Sequence, residues 1–313
     1  MSNTCQLNKK DEQEIYRFDP KTQLPQYGVM CYTGRTGSGK TVLMLDHLYH
    51  LRNRLDIVML FCGSKETTKE YRRHIPGILT FDGFFPDVIE NVYNWLETQV
   101  EFGRRIRVCL IFDDLAYLKG SISNHPIMTR IAYNGRHAGI LCMMALQYAK
   151  NVSVGFRNQV RFVFSAAENA KSNRERIYEA FNPIFSSFKD YDKVFTACTE
   201  NYEAFVASCT YTGSSKVKDN VFYTKANLKR TKGRWKVNKG GIMWSFNRAN
   251  FDPFHFMKPQ DKKIKGKCRK AITVADKRIV KYKHRIEKRG KRSKKTSNVY
   301  PYIKTLPKKK RRM

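Results

Sequence analysis

The sequence has 313 residues, of which 60 are Lys or Arg and 27 are Asp or Glu, so its formal net charge is +33. This length predicts one large domain or two modest ones, and a hydrophobic fraction of 41% excludes a wholly disordered chain. The longest apolar runs stop at about eight residues, which is short of the ~18 that a membrane span needs. The polar N-terminus predicts no cleaved signal peptide. Such a charge predicts a polyanionic partner, either nucleic acid or an anionic membrane surface.

The positive charge is concentrated in the C-terminal part of the chain. Residues 1–215 have a net charge of +4, residues 216–250 one of +9, and residues 261–313 one of +20. We therefore predict a nearly neutral folded body and a basic extension. From about Gly266 the extension is expected to be poorly ordered alone, because like charges repel and little apolar surface can be buried. A short helix over residues 271–286 is the alternative there.

Eight cysteines are present, without a Cys-x-x-Cys pair or a tight Cys/His cluster. Four of them lie in short apolar runs, where a thiol behaves as a small hydrophobic side chain. We predict neither a structural zinc site nor a disulfide framework, and a reducing compartment.

Short β-rich runs alternate with helical patterns along the body of the chain. Helices are predicted over residues 40–52 and 85–102. Strands are predicted at residues 26–33, 56–62, 106–112, 140–146, 160–165, 204–209 and 221–224. The central runs show little polar alternation, which is typical of strands buried on both faces of a parallel sheet covered by helices. The predicted fold class is therefore an α/β sandwich.

A phosphate-binding loop follows the first predicted strand and precedes the first predicted helix. It matches G-x-x-x-x-G-K-[ST] in full, with residues Gly34, Arg35, Thr36, Gly37, Ser38, Gly39, Lys40 and Thr41. Glycines let the backbone N–H groups approach phosphate oxygens, and the helix adds the positive end of its dipole. Lys40 is predicted to reach the β- and γ-phosphates of ATP, and the Thr41 hydroxyl to ligate Mg²⁺.

Two carboxylates end another buried strand, where ligands bind in open α/β sheets. We predict that Asp113 belongs to the Mg²⁺ shell and that Asp114 polarises the attacking water. A pair of solvated turn aspartates is the alternative. A third strand, at residues 140–146, ends on Gln147, which is predicted to sense the γ-phosphate or hold the water. A simple polar strand end is the alternative for Gln147.

The residues around this third strand resemble a known superfamily. The pattern consists of Gly135, Arg136, Gly139, Ile140, Gln147, Asn158 and Arg161. Over residues 26–226 the chain resembles the FtsK–HerA superfamily of DNA-pumping ATPases, and more narrowly the poxvirus-type packaging ATPases of large eukaryotic DNA viruses. The resemblance implies a P-loop NTPase fold of the RecA/ASCE-like type. It also implies a homo-oligomeric ring in which an arginine finger completes the neighbour's site. Arg136 matches the pattern better than Arg157, and an ordinary surface arginine is the alternative for either residue.

One position departs from the pattern of the cellular members of that superfamily. They commonly have Glu where this chain has Asp114, although viral relatives also use pairs of Asp. The shorter side chain bears directly on the role of Asp114 as the base.

The basic extension contains two kinds of candidate site. Residues 229–236 surround Trp235 with cations, which suits phosphate contacts and base stacking; a solvated basic loop is the alternative. Residues 307–312, and a second cluster at 288–292, resemble nuclear import signals, although such clusters also simply bind polyanions. The host nucleus is therefore the expected location, and otherwise a cytoplasmic virus factory or the virion.

Together these features predict four segments. They are a lead-in (1–25), a P-loop ATPase domain (26–226), a basic loop and linker (227–260), and a basic tail with an import signal (261–313). The predicted function is ATP-driven translocation of double-stranded DNA in viral genome packaging, with capsid or portal proteins and an import receptor as partners. The alternatives are a viral nucleic-acid-dependent NTPase or helicase, and a basic DNA-binding core protein that only binds nucleotide.

Overall fold

The computed structural model describes residues 14–115, 122–147, 152–182, 184–210 and 213–251. One compact unit of the chain ends at Phe251. The predicted helix at residues 271–286, the import clusters and the basic tail lie outside the described residues. In the part that is described, no helix is long and apolar enough to cross a membrane.

The described residues contain a sheet of nine strands and ten α-helices. The strands are β1 (Tyr16–Arg17), β2 (Gly28–Thr33), β3 (Ile57–Cys62), β4 (Thr80–Phe81), β5 (Val108–Asp113), β6 (Ile140–Leu146), β7 (Val160–Ala166), β8 (Ala204–Ser208) and β9 (Val221–Thr224). The helices are α1 (Lys40–Leu51), α2 (Lys65–Tyr71), α3 (Pro86–Glu101), α4 (Pro126–Asn134), α5 (Val154–Arg157), α6 (Lys171–Phe181), α7 (Phe188–Cys198), α8 (Val217–Asn220), α9 (Leu228–Thr231) and α10 (Ile242–Asn250).

The strand order is β1-β9-β8-β7-β2-β6-β5-β3-β4. Every neighbouring pair is parallel except the two pairs that β8 forms, with β7 and with β9. β6 lies between β2 and β5, so the carboxyl ends of these three strands meet at one edge of the sheet. The predicted P-loop NTPase fold, an α/β sandwich around a mostly parallel sheet, is confirmed.

Hydrophobic side chains fill the space on both faces of the sheet. Along β5, Val108, Leu110 and Phe112 belong to one buried cluster, while Cys109 and Ile111 belong to the other. A strand buried on both faces needs apolar residues at every position, which explains why the sequence shows no alternation there.

The compact unit is wider than the predicted ATPase domain at both ends. In the predicted lead-in, Ile15 and Phe18 are buried, and β1 pairs with β9 in parallel. In the predicted basic linker, α9 and α10 are helical and Trp244 is buried. β1 and α9, with two and four residues, are too short to show a period in the sequence.

Candidate functional site

Three glycines give the loop between β2 and α1 its shape. Gly34, Gly37 and Gly39 have φ angles of +147°, +80° and +92°, which residues with a side chain rarely adopt. A Cβ atom on Gly34 would lie 2.6 Å from Ser38 Oγ and 3.1 Å from Ala166 Cβ, whereas one on Gly37 or Gly39 would meet open space. Gly34 therefore lets the loop pack against the end of β7, and the other two let the loop curve at positions where a side chain would strain the backbone.

Lys40 lies at the centre of this curve. Its Nζ donates hydrogen bonds to the carbonyl oxygens of Gly34, at 2.7 Å, and Arg35, at 2.9 Å. Burial lowers the pKa of Lys40, and the nearby carboxylates of Asp113 and Asp114 oppose that shift. A cation held inside a loop of backbone carbonyls needs further anionic partners, which a phosphate group supplies.

Two more features of the loop fit a phosphate ligand. The first amides of α1 have no acceptor inside the helix and carry the positive end of its dipole. Ser38 Oγ is buried without a hydrogen-bond partner among the described residues. Buried polar atoms are rarely left unpaired, so both features fit the phosphate tail of a nucleotide.

Asp113 ends β5 directly beside the loop and is 1% exposed. Its Oδ2 accepts hydrogen bonds from Thr41 Oγ1, at 2.9 Å, and from the Tyr71 hydroxyl, at 3.1 Å. Its Oδ1 accepts one from the backbone N–H of Asp114, at 3.0 Å. Burial raises the pKa of Asp113 to about 6, and the charge of Asp114 adds to the rise. The structure thus brings together the two residues predicted to bind Mg²⁺, Thr41 and Asp113.

The donor set fits Mg²⁺ bound together with a nucleotide. Among the described residues there is no group of three or more His, Cys, Asp or Glu side chains that could hold a metal ion. Mg²⁺ usually keeps several waters and takes one or two carboxylates plus substrate phosphates as ligands. One hydroxyl from Thr41 and one carboxylate from Asp113 are therefore a sufficient protein contribution.

Asp114 has an unusual backbone and a partner that the sequence did not predict. Its φ is +51°, a left-handed conformation that Asp adopts more readily than most residues. Its Oδ2 accepts a hydrogen bond from Thr67 Oγ1 at 2.6 Å. Thr67 lies one turn before Tyr71 on α2, so one face of this helix contacts both carboxylates. The only sequence signal for this is a Thr and a Tyr four residues apart after β3.

Gln147 joins the end of β6 to the phosphate loop. Its Nε2 donates a hydrogen bond to Thr36 Oγ1 at 3.3 Å. The backbone N–H of Gly34 also donates to the carbonyl of Leu146 at 3.3 Å. The structure therefore places Gln147 beside the phosphate loop, and its role in sensing the γ-phosphate or holding the water stays a prediction.

Glu168 is a buried carboxylate near the loop that the sequence analysis missed. It follows β7, is 6% exposed, and lies 4.0 Å from Arg35 Nε. Its Oε1 accepts a hydrogen bond from the backbone N–H of Ala170 at 3.0 Å. Together with Gln147 and Arg176 it lines a cleft beside the loop. A single acid two residues after an apolar strand was the only available signal.

Arg136 and Arg157 lie at the opposite edge of the sheet from the phosphate loop. Both precede the strands whose carboxyl ends lie beside the loop, β6 and β7, which run parallel to β2. A strand of six or seven residues at ~3.3 Å per residue separates the two edges by roughly 20 Å. The structure therefore does not bring either arginine to the phosphate loop of its own chain, and their action on a neighbouring subunit stays a prediction.

Comparisons with known proteins identify relatives from viruses. No family model matches the sequence. An uncharacterized protein of Invertebrate iridescent virus 3 is 28% identical over 193 residues, which is 62% of this chain and 73% of that protein. One of Frog virus 3 is 26% identical over 198 residues, or 62% of this chain and 60% of that protein. One of Acanthamoeba polyphaga mimivirus is 21% identical over 222 residues, or 68% and 77% of the two chains.

Solved structures of similar fold include viral and bacterial proteins. The genome packaging NTPase B204 from Sulfolobus turreted icosahedral virus 2 aligns with a TM-score of 0.47 and 15% identity over 66% of this chain and 100% of its own. EssC (ATPases 2 and 3) from Geobacillus thermodenitrificans gives 0.47 and 12% over 72% and 43%. The pCW3 conjugation coupling protein TcpA gives 0.44 and 15% over 71% and 64%.

Proposed function

We propose that this chain hydrolyses ATP with Mg²⁺ and uses the energy to move double-stranded DNA into a viral capsid. The observation that carries the proposal is the meeting of Lys40, Thr41, Asp113 and Asp114 at one edge of the sheet, with Thr41 Oγ1 2.9 Å from Asp113 Oδ2. The relatives from viruses and the net charge of +33 support DNA as the partner.

Each residue has a separate role in the proposed hydrolysis. Lys40 and the amides of the loop bind the phosphates, and Thr41 with Asp113 holds Mg²⁺. Thr41 and Asp113 would thereby hold a cation that neutralises the phosphate charge developing during transfer. Asp114 accepts a proton from the water that attacks the γ-phosphorus, while the bond from that phosphorus to the ADP oxygen breaks.

Gln147 links this chemistry to movement, because it hydrogen-bonds the loop and lies at the end of β6. A change at the γ-phosphate that shifts Gln147 would be passed along β6, which begins next to Arg136. We infer a homo-oligomeric ring in which Arg136 or Arg157 reaches the phosphate loop of the neighbouring subunit and stabilises the transferring phosphoryl group. Capsid or portal proteins are the proposed docking partners, and the host nucleus is the proposed site of action.

The ATPase rate of the full chain, with and without linear duplex DNA, tests this function. We expect duplex to raise the rate, and both Lys40→Ala and Asp114→Asn to abolish turnover. Unwinding of a forked duplex would favour a helicase instead. DNA binding that Lys40→Ala leaves intact, together with no turnover in the wild type, would favour a core protein that only binds nucleotide.

A further inference from the structure

A positively charged segment of the folded unit lies outside the phosphate loop. Six of the twelve residues in segment 228–239 are Lys or Arg and none is acidic; we call this segment the basic strap. Five of these six cations are exposed, and they are Lys229, Lys232, Arg234, Lys236 and Lys239. The sixth, Arg230, is partly buried.

Arg230 attaches the strap to the helix that follows the phosphate loop. Its Nε lies 3.2 Å from Oδ1 of Asp46, whose side chain is 2% exposed. Arg230 Nη1 also contacts His50 Nε2, one turn further along α1. Burial raises the pKa of Asp46, while the charge of Arg230 lowers it. Separating a buried carboxylate from its paired cation is strongly destabilising, so Asp46 ties this end of the strap to α1.

Trp235 anchors the middle of the strap. Its ring stacks on the ring of His74, with centroids 3.8 Å apart and planes 9° apart, and it meets Tyr49 edge to face at 5.6 Å. The indole N–H donates to the carbonyl oxygen of Arg230 at 2.7 Å. The backbone N–H of Val237 donates to the carbonyl of His74 at 2.9 Å. The aromatic residue that the sequence suggested for base stacking therefore packs into the protein.

The sequence pattern predicted both base stacking and phosphate contacts for this segment, whereas in the structure its ring is used for packing and only the cations are available to phosphates. The aromatic ring, Arg230 and the backbone hold the strap in place, and the Lys236 ammonium lies 4.3 Å from the ring centroid of Trp244. The remaining four cations, Lys229, Lys232, Arg234 and Lys239, are exposed. Single-stranded nucleic acid is usually bound by stacking bases on aromatic side chains. The backbone of a duplex offers only phosphates in regular positions, for which fixed cations are sufficient.

We propose that the basic strap is the surface of the folded unit that binds the phosphate backbone of duplex DNA, independently of the C-terminal tail. The choice of partner rests on the proposed function. The strap also contacts α1, which begins at Lys40. DNA bound to the strap would therefore lie on a segment that is attached to the helix following the phosphate loop.

Binding of a random-sequence duplex to the full chain, measured over a range of salt concentrations, tests the proposal. The strap variant is Lys229→Gln, Lys232→Gln, Arg234→Gln and Lys239→Gln, which removes four charges and keeps the anchors Arg230 and Trp235. The matched control removes the same charge from the tail by Lys308→Gln, Lys309→Gln, Lys310→Gln and Arg311→Gln. A third protein combines all eight changes. Thermal unfolding checks that each variant is folded.

We expect the slope of log K against log salt to be less steep for the strap variant than for the wild type by about 3 to 4, since each of the four lost phosphate contacts contributes about 0.9. The same loss is expected whether or not the tail is neutralised. Its affinity for a single strand of equal length should fall less than its affinity for duplex, because the strap offers no ring for stacking. Basal ATPase activity without DNA should be unchanged.

Three results would overturn the proposal. The first is a strap variant whose salt slope for duplex equals that of the wild type. The second is a loss of single-strand binding with duplex binding intact, and the third is a wild type that does not bind duplex. Failure of the proposed function would instead appear as a wild type without ATP turnover. The difference in salt slope between the strap variant and the wild type could still be measured in that case.

Discussion

Thr67 donates a hydrogen bond of 2.6 Å to Oδ2 of Asp114, the residue proposed to accept a proton from the attacking water. One turn later on the same helix, the Tyr71 hydroxyl donates to Oδ2 of Asp113 at 3.1 Å. Tyr71 is fully buried, so α2 cannot easily shift without disturbing both carboxylates. The orientation of the Asp113 and Asp114 carboxylates therefore depends on α2, a helix that belongs to neither the phosphate loop nor β5.

The first prediction concerns this hydrogen bond. Thr67→Val keeps the shape of the side chain and removes the donor, so Asp114 loses its fixed orientation. A hydrogen bond to a charged group contributes about 1.5 to 3 kcal/mol, and we expect kcat for ATP to fall at least about tenfold while KM changes less than about twofold. Thr67→Ser retains the hydroxyl and should recover most of the rate. A kcat of Thr67→Val above that of the wild type would show that the hydrogen bond from Thr67 instead hinders Asp114 in accepting the proton.

The second prediction concerns the arginines at the far edge of the sheet. Arg136→Ala and Lys40→Ala should each be inactive alone, because each damages a different half of a shared site. Mixing the two proteins before assembly should restore part of the ATPase activity, since some interfaces then combine an intact Lys40 with an intact Arg136. Mixing Arg157→Ala, in place of Arg136→Ala, with Lys40→Ala shows which of the two arginines completes the neighbour's site, since only the variant of that arginine should be inactive alone and recover activity in the mixture. Full activity of Arg136→Ala alone would remove that residue from the site.

The sequence predicted those parts of the site that depend on contiguous residues. The loop from Gly34 to Thr41 and the acids after β5 were identified because a strand, its polar end and the next helix follow one another in the chain. Thr67 and Glu168 were missed for the opposite reason. Each lies on a different segment, and only the strand order and register bring Thr67 to Asp114 and Glu168 to Arg35.

The same reasoning explains why the basic segment was only partly understood from the sequence. Alternating cations and a Trp predict a nucleic-acid contact, but they do not show which way the ring points. That depends on His74, which lies more than 150 residues earlier and supplies the stacking partner. Short strands such as β1 and β4 were missed because two residues contain no period.

The third prediction tests the turn that precedes β6. Gly139 has a φ of +81°, and a Cβ atom there would lie 2.4 Å from the carbonyl oxygen of Ile106. Gly103 has a similar φ of +72° but open space around it, so it is the matched control. Both Ala variants strain the backbone, and Gly139→Ala adds a steric clash. We expect urea unfolding to show Gly139→Ala about 1 to 3 kcal/mol less stable than Gly103→Ala. Equal losses would mean that the turn relaxes without cost.

The last prediction concerns acid stability and a buried histidine on α1. His47 is fully buried, its Nδ1 lies 2.9 Å from the Tyr32 hydroxyl, and burial lowers its pKa to about 3. In the unfolded chain a histidine has a pKa of about 6.5, so between these values the unfolded state binds a proton that the folded state does not. The stability that neutral His47 provides is present above pH ~6.5 and is lost as the pH falls towards about 3.

His47→Gln replaces the imidazole with an amide that does not titrate, and its unfolding free energy should therefore fall less steeply between pH 6.5 and 4. Urea unfolding at several pH values measures the difference, which is at most about 1.4 kcal/mol per pH unit for one proton. His50 is a graded control, because burial, reinforced by the charge of Arg230, lowers its pKa to about 4. His50→Gln should flatten the curve over a narrower range. Curves for His47→Gln and the wild type that run parallel would show that His47 accepts its proton without unfolding, through a local opening of α1.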